Sequence, residues 1–162
     1  MFEFEFPGTI DDLESMEREL VKHLGWEEEV DAKDYEEWCS WFGAEDLTHD
    51  HEGQMDGPSM IKNFPNDTSP FWNMKQNGDG TAAKIDVILG GMETIGSAER
   101  STNPREMREM FCTISGGMYA NLLYATFGRE RVNKELDEFL SFDFIPRVGG
   151  GIGLTRLISA MM

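Results

Sequence analysis

Three charged residues in the middle of the chain recur every seven positions and could do chemistry together. Asp86, Glu93 and Arg100 lie in and after the apolar run Ala82–Leu89, which predicts a strand. Two carboxylates on neighbouring strands could hold Mg²⁺ on a triphosphate, with water and phosphate oxygens as the remaining ligands. An arginine beyond them could pair bidentately with a carboxylate substrate. The same pattern also fits a surface strand pair with an ordinary ion pair.

A second stretch, residues 146–162, predicts a glycine-rich strand that runs into a C-terminal helix. Its glycines leave the backbone bare, so a flat or bulky ligand could lie against it: they are Gly149, Gly150, Gly151 and Gly153. Arg156 follows in the first turn of the helix, and arginine both stacks on aromatic planes and pairs with phosphate oxygens. The stretch therefore suits a nucleotide. A glycine-rich turn before an amphipathic core helix remains an alternative, since such turns are a weak signal.

The order of these residues along the chain favours a nucleotide site over the structural alternatives. Pro146, the spaced glycines and Arg156 resemble motif 3 of the class II aminoacyl-tRNA synthetases. The sequence of residues 149–157 is most similar to the aspartyl/asparaginyl/lysyl subgroup and to the ammonia-dependent asparagine synthetase built on the same fold. The spacing from Asp86 to Arg100 resembles that subgroup too. Thr155 departs from the synthetases, which usually have an acidic residue there, and is similar to the asparagine synthetase, which has a small hydroxyl residue.

The resemblance implies ATP and Mg²⁺ as cofactors and an aspartate-like amino acid as substrate. Asp86 and Glu93 would be the metal ligands, and Arg156 and Arg100 the catalytic residues, the first gripping ATP and the second holding the substrate's side-chain carboxylate. The full implied ATP-binding set is Glu5, Glu93, Gly151, Gly153 and Arg156. The implied substrate-binding set is Arg100, Ser97 and Gly149, although Ser97 stands one position away from the family's small polar residue.

The N-terminus predicts a half-buried strand, because Phe2, Phe4 and Phe6 alternate with glutamates. This strand resembles the last strand of motif 2 in the same family. By that resemblance the chain begins partway through motif 2, so that motif 1 and the motif 2 arginine would be missing. A sheet interrupted there has an open edge that needs covering. We therefore expect a homo-oligomer or a second chain that supplies motifs 1 and 2.

The remaining elements follow from local signals. Thr9 and Asp12 form a capping box before the first predicted helix, and the predicted helices are Ile10–Leu24, Ala32–Phe42, Asn103–Phe127 and Arg129–Leu140. Residues 63–75 predict a turn feeding a strand, and Gln76–Gly80 a hairpin turn. Residues 48–58 predict an irregular insertion loop, in which His49 and His51 would either hold a metal with Asp50 or simply be solvated.

Composition limits the partners. The 162 residues include 31 acidic and 14 basic side chains and carry a net charge of −17. A surface of that sign repels phosphate backbones, which argues against DNA as a partner and against a tRNA-gripping surface. No stretch approaches the roughly 18 apolar residues of a membrane span, and the start of the chain lacks the pattern of a signal peptide. We expect a cytoplasmic protein without a membrane partner.

The sequence thus predicts an α+β fold, an antiparallel sheet flanked by helices. It would be a single domain over residues 1–162, equivalent to the C-terminal half of a class II synthetase catalytic core and truncated at its N-terminal side. Three functions fit: amino-acid activation as an aminoacyl adenylate, an asparagine synthetase-like ligase that uses ammonia without tRNA, and a non-catalytic paralogue that binds a nucleotide or a partner. The two ligases are favoured over the third.

Overall fold

The computed structural model describes residues 1–68 and 70–162, which build one mixed sheet flanked by helices. The strands are β1 (Phe2–Pro7), β2 (Asp31–Asp34), β3 (Ser59–Pro65), β4 (Thr81–Leu89), β5 (Met92–Glu99) and β6 (Arg147–Ile152). Their order across the sheet is β1-β6-β5-β4-β3-β2. The helices are α1 (Ile10–His23), α2 (Tyr35–Phe42), α3 (His49–Glu52), α4 (Pro104–Thr113), α5 (Met118–Phe127), α6 (Arg129–Leu140) and α7 (Leu154–Ala160).

The sheet is antiparallel except at one edge, where β2 pairs in parallel with β3. The predicted helix from Ala32 is therefore wrong over its first residues. Asp34 forms a capping box with Glu37, so α2 begins at Tyr35 and the residues before it stay extended. Their extended backbone then pairs with residues 59–62.

Helix α1 covers one face of the sheet and begins at the predicted capping box, in which Thr9 N donates to Asp12 Oδ2 at 2.8 Å. Leu13 and Val21 are fully buried and pack with sheet residues such as Ile85 and Val148. The fully buried residue between them on the helix is Glu17. A stripe at i, i+4 and i+8 therefore faces the sheet with a carboxyl group at its centre.

Helices α4, α5 and α6, which follow β5 in the chain, pack together around one apolar cluster. The single helix predicted over 103–127 is wrong, because a 3₁₀ turn over Ile114–Gly117 divides it. Gly116 and Gly117 have φ values of +63° and +82°, in the left-handed region that ends a right-handed helix. Asn103 accepts hydrogen bonds from the backbone of residues 105 and 106, which fixes the start of α4.

The segments around β3 differ in part from expectation. Residues 48–58 are not wholly irregular, since they contain the one-turn helix α3. His51 makes its contacts within this region, because its ring stacks on Phe42 and its Nδ1 lies 3.1 Å from Thr48 N.

Residues 63–65 end β3 instead of forming a turn, and residues 71–75 contribute a single bridge, Met74 to Arg100, instead of a strand. Ser69 lies outside the described residues. The predicted hairpin turn is confirmed, with Asn77 N donating to Thr81 O at 2.9 Å. No helix among residues 1–68 and 70–162 is long and apolar enough to cross a membrane.

Candidate active site

Strand register brings the two informative stretches of sequence onto one face of the sheet. Asp86 on β4 lies opposite Gly96 on β5, and Gly96 lies opposite Gly151 on β6. Because side chains alternate between faces along a strand, these three positions point the same way, away from α1. A Cβ atom on Gly96 would lie 2.8 Å from Glu93 Oε1 and 3.5 Å from Asp86 Oδ1. The two carboxylates therefore face the open space above Gly96.

An open cleft runs along this face. One cavity of about 650 Å³ extends from Glu93 and Gly96 across Gly151 to Glu5 and Arg100. A second cavity of about 500 Å³ shares its Glu93 side and continues to Arg156. Together they form a trough with glycine backbone as its floor and an arginine at each end. A trough of this size is within the range of small-molecule sites.

One end of the cleft is built by Arg156 and Glu93. Arg156 Nη1 donates to the backbone oxygen of Glu93 at 2.8 Å and lies 3.4 Å from its Oε2. Helix α7 starts immediately after β6, so the first-turn position predicted for Arg156 is confirmed. Both side chains stay about half exposed, which leaves the guanidinium accessible to a ligand.

The other end is built by Arg100 and Glu5. Arg100 Nε lies 3.8 Å from Glu5 Oε2, while Glu5 Oε1 accepts from Arg147 Nε at 2.8 Å. Burial lowers the pKa of Arg100, the Glu5 charge raises it, and Arg147 lowers it further. Gly149 lies beneath them, since a Cβ there would be 3.3 Å from Arg100 Nη2. Arg100 therefore presents a partly desolvated guanidinium whose nearest carboxylate is too far for a good hydrogen bond.

Asp86 is the most buried of the charged residues predicted for the site. Burial raises its pKa to about 6, the Lys84 ammonium opposes this shift, and the charges of Glu93 and Glu52 add to it. Its Oδ2 pairs with Lys84 Nζ at 2.5 Å. Its Oδ1 is buried and has no hydrogen-bond partner in the part of the chain that the structure describes. A buried acceptor without a partner is costly, so a ligand at Oδ1 would be stabilising.

These observations test whether a divalent cation fits. Asp86 Oδ1 and Glu93 Oε1 are hard oxygen donors on the same side of Gly96, where the missing Cβ leaves room. No group of three or more His, Cys, Asp or Glu side chains among residues 1–68 and 70–162 converges as a ligand set. Two carboxylates with open positions are the arrangement that Mg²⁺ uses on a nucleotide, where phosphate oxygens and water complete the shell. The residues present therefore fit the group.

Ser97 lies apart from the other predicted site residues. It is the next residue after Gly96 and therefore points to the opposite face, where its Oγ donates to Ile85 O at 3.2 Å. Gly150 faces the same way, with a Cβ position 2.6 Å from Ser97 Cβ. The structure does not place Ser97 in the cleft. Alternation counted from Glu93 would have placed Ser97 on the cleft face, but the register shift between Val87 and Ile88 reverses the faces of the residues that follow Glu93.

Residues that the sequence reasoning did not assign to this cleft also lie at the site. Lys84 is two positions before Asp86 on the same strand, which is a readable signal. Phe71 and Met74 line the cleft beside Arg100, and nothing in their local pattern predicts this. His49 and Glu52 on α3 border a further cavity of about 550 Å³ with Glu93 and Arg156. The segment predicted as an insertion loop therefore flanks the cleft.

A family model described as tRNA synthetases class II (D, K and N) matches residues 9–162. Among curated proteins, the asparagine–tRNA ligase of Yersinia pestis is 29% identical over 136 residues, which is 77% of this chain and 25% of that protein. The asparagine–tRNA ligase of Aliivibrio fischeri is 27% identical over 143 residues, which is 87% of this chain and 27% of that protein. The chain thus spans about a quarter of the length of these relatives.

Solved structures of similar fold cover nearly the whole chain. The asparaginyl-tRNA synthetase of Entamoeba histolytica in complex with asparaginyl-adenylate has a TM-score of 0.71 at 16% identity, covering 98% of this chain and 43% of that one. The asparaginyl-tRNA synthetase of Pyrococcus horikoshii has a TM-score of 0.70 at 18% identity, covering 98% and 44%. The aspartyl-tRNA synthetase of Entamoeba histolytica gives 0.69 at 17% identity, covering 98% and 39%. The fold is that of the class II catalytic core, confirmed over part of each neighbour.

Proposed function

The chain belongs to the class II tRNA synthetases of the D, K and N group, and from this premise we propose that it takes part in ATP-dependent activation of an amino acid. The amino acid would be aspartate or asparagine, and the product an aminoacyl adenylate. The observation that carries the proposal is the cleft itself, which holds Glu93 with Arg156 at one end and Arg100 at the other, above a glycine floor. One neighbour of the same fold is solved with asparaginyl-adenylate.

The residues divide the work by position. Arg156 would bind ATP phosphate or adenine above Gly151 and Gly153, while Arg100 and Gly149 would hold the amino acid at the far end. With both reactants aligned, a carboxylate oxygen of the amino acid bonds to the α-phosphorus and the bond to the pyrophosphate oxygen breaks. Asp86 and Glu93 would hold Mg²⁺, which offsets phosphate charge when bound. No side-chain nucleophile is needed.

The experiment that tests the proposal is isothermal titration of the chain with Mg-ATP, alone and with aspartate or asparagine. We expect heat with Mg-ATP, and tighter binding when the preferred amino acid is present, because the two ligands occupy adjoining parts of one cleft. No heat with Mg-ATP under any of these conditions would contradict the proposal. Comparing the two amino acids decides the substrate.

Two substitutions should separate the ends of the cleft. Arg156→Ala is expected to weaken Mg-ATP binding about tenfold or more, because a charge-assisted contact to phosphate is lost. Arg100→Ala is expected to leave Mg-ATP affinity unchanged and to weaken the amino acid instead. Both are measured by the same titration. Arg131→Ala is the control, since Arg131 is exposed on α6, where it pairs with Glu135 one turn along and lies over the Phe127 ring. Equal losses in all three variants would refute the assignment.

A second candidate acceptor is ammonia, giving an asparagine synthetase-like ligase. Thr155 supports this alternative, because asparagine synthetase has a small hydroxyl residue at this position and the synthetases usually have an acidic one. The net charge of −17 also disfavours a tRNA-binding surface. Incubating the chain with aspartate, Mg-ATP and ammonium, and assaying asparagine, distinguishes this ligase activity from adenylate formation without an acceptor.

We also propose a homo-oligomer or a second chain along β1, which lies at an edge of the sheet.

A further inference from the structure

Lys84 and Asp86 form a largely buried ion pair beside the proposed cation site. They are two positions apart on β4 and therefore share the cleft face. Lys84 Nζ lies 2.5 Å from Asp86 Oδ2, and the two side chains are only 21% and 10% exposed. The same ammonium lies 3.6 Å from the centre of the Phe64 ring. A cation held by a carboxylate on one side and an aromatic face on the other is fixed in place.

The pair leaves the two oxygens of Asp86 in different conditions. Oδ2 is taken by the ammonium, whereas Oδ1 is buried, faces the space above Gly96 and has no hydrogen-bond partner among the described residues. Glu93 and Glu52 add negative charge nearby. The Lys84 ammonium at Oδ2 thus supplies this group of carboxylates with positive charge. A divalent cation at Oδ1 would supply positive charge to the same carboxylates.

We propose that Lys84 is a built-in counter-ion of the carboxylate site, which holds Asp86 in position when no divalent cation is bound and weakens the site's affinity for such a cation. This rests on the proposed function in taking Asp86 and Glu93 as cation ligands. The physical reason is that two cations beside one buried carboxylate repel each other, and that the ammonium occupies one of its two oxygens. Lys84 acts through Asp86 and is a positioning residue.

The test measures divalent-ion binding directly, on the full chain and without nucleotide. Mn²⁺ serves as the probe, because it takes carboxylate and water ligands as Mg²⁺ does and its free form is counted by electron paramagnetic resonance. Lys84→Met removes the charge and keeps an unbranched apolar side chain against Phe64. We expect it to bind Mn²⁺ about tenfold more tightly than the natural chain. Lys84→Arg keeps the charge and should bind as weakly as the natural chain.

A second readout covers loss of stability in the variant. Lys84→Met leaves a buried carboxylate without its partner, so its unfolding temperature should fall, and Mn²⁺ should raise it by more than in the natural chain, since only a cation bound to the folded state stabilises it. The double variant Lys84→Met/Asp86→Asn has lost both charges of this ion pair, so neither is left without its partner. It should regain stability and lose the response to Mn²⁺.

The outcomes separate this inference from the proposed function. Equal Mn²⁺ affinity in the natural chain and Lys84→Met overturns the counter-ion role, as does an absence of Mn²⁺ binding in both. A double variant that still binds Mn²⁺ as tightly as Lys84→Met overturns it too, because the ion then lies elsewhere. Tighter Mn²⁺ binding by Lys84→Met, in a chain that gives no heat with Mg-ATP, supports the role of Lys84 and refutes only the proposed function.

Discussion

Glu17→Gln is expected to raise the free energy of unfolding at pH 8.5 and to lose that advantage at pH 5. Glu17 is fully buried on α1, and neither of its carboxyl oxygens has a hydrogen-bond partner among the described residues. Burial raises its pKa to about 8, the neighbouring Ser97 hydroxyl opposes the shift, and the charges of Asp86 and Glu14 add to it. At neutral pH the folded chain must therefore either keep this proton or bury a charge.

The direction with pH follows from proton binding. Between about pH 4.5 and pH 8 the folded state holds a proton that the unfolded chain has released, so stability falls as pH rises through this window. A shift of this size corresponds to about 5 kcal/mol at most. A glutamine amide has no charge to release, although burying it without a partner costs about 1–3 kcal/mol. The expected net gain is about 2–4 kcal/mol at pH 8.5.

Urea denaturation of the natural chain and the variant at pH 5, 6.5 and 8.5 measures this difference. Glu14→Gln is the matched control on the same helix. Partial burial raises the pKa of Glu14, but Arg18 and Lys62 lower it more, so its charged form is the stabilised one. Glu14→Gln should therefore lose stability at neutral pH. A pH-independent difference between Glu17→Gln and the natural chain would show that Glu17 is not protonated in the folded state.

Gly150→Ala is expected to destabilise the chain by about 3 kcal/mol, whereas Gly151→Ala should change its stability little. A Cβ on Gly150 would lie 2.6 Å from Ser97 Cβ and 2.7 Å from the backbone oxygen of Gly96. Backbone atoms cannot move aside, so β5 and β6 would have to separate. A Cβ on Gly151 meets only the flexible side chain of Met1, at 2.9 Å from its sulfur.

Thermal unfolding of the two variants measures the difference in stability, and titration with Mg-ATP supplies the second comparison. Gly151 lies in the cleft, so Gly151→Ala should fold normally and still bind Mg-ATP less tightly, because its methyl group stands on the floor of the trough. The two adjacent glycines would then have separate roles, one in strand packing and one in ligand access. Equal stability of both variants would contradict the close approach of β5 and β6.

Local sequence signals pointed to Glu93, Arg100 and Arg156, which the structure places along one cleft, but they failed at the edge strand β2. The tight turn at residues 90–91 pairs Ile88 with Glu93 and so places Glu93 on the face of Asp86, whereas Arg100 reaches that face only through the register shift between Val87 and Ile88. Residues 31–34 could not be recognised as a strand, since four polar or small residues show no alternation and their partner β3 is distant in sequence. The face of Ser97 depends on the register shift between Val87 and Ile88, which the sequence does not signal. The positions of Lys84 on the face of Asp86 and of Glu17 in the helical stripe were readable, and were missed.

Packing explains why the sequence predicted one helix where the structure has α4 and α5. The apolar spacing over residues 104–125 continues through Ile114 as if one helix were present, because both α4 and α5 bury residues in one cluster, including Met107, Phe111 and Ala120. Two glycines in the left-handed region break the helix without breaking the stripe. A hydrophobic pattern therefore reports which residues share a core, and it does not report whether the backbone between them is continuous.

The pairing of β1 with β6 has a consequence for how the chain acquires its cleft. Phe2 lies opposite Ile152, so this ladder closes a loop of nearly the whole sequence, whereas the β4–β5 hairpin closes within a few residues. Loop-closure entropy and high contact order slow such distant pairings. We expect β4 and β5, with Asp86 and Glu93, to order early, and Glu5 to meet the glycine strand in the last step. A refolding chain would then acquire nucleotide affinity with its slowest kinetic phase.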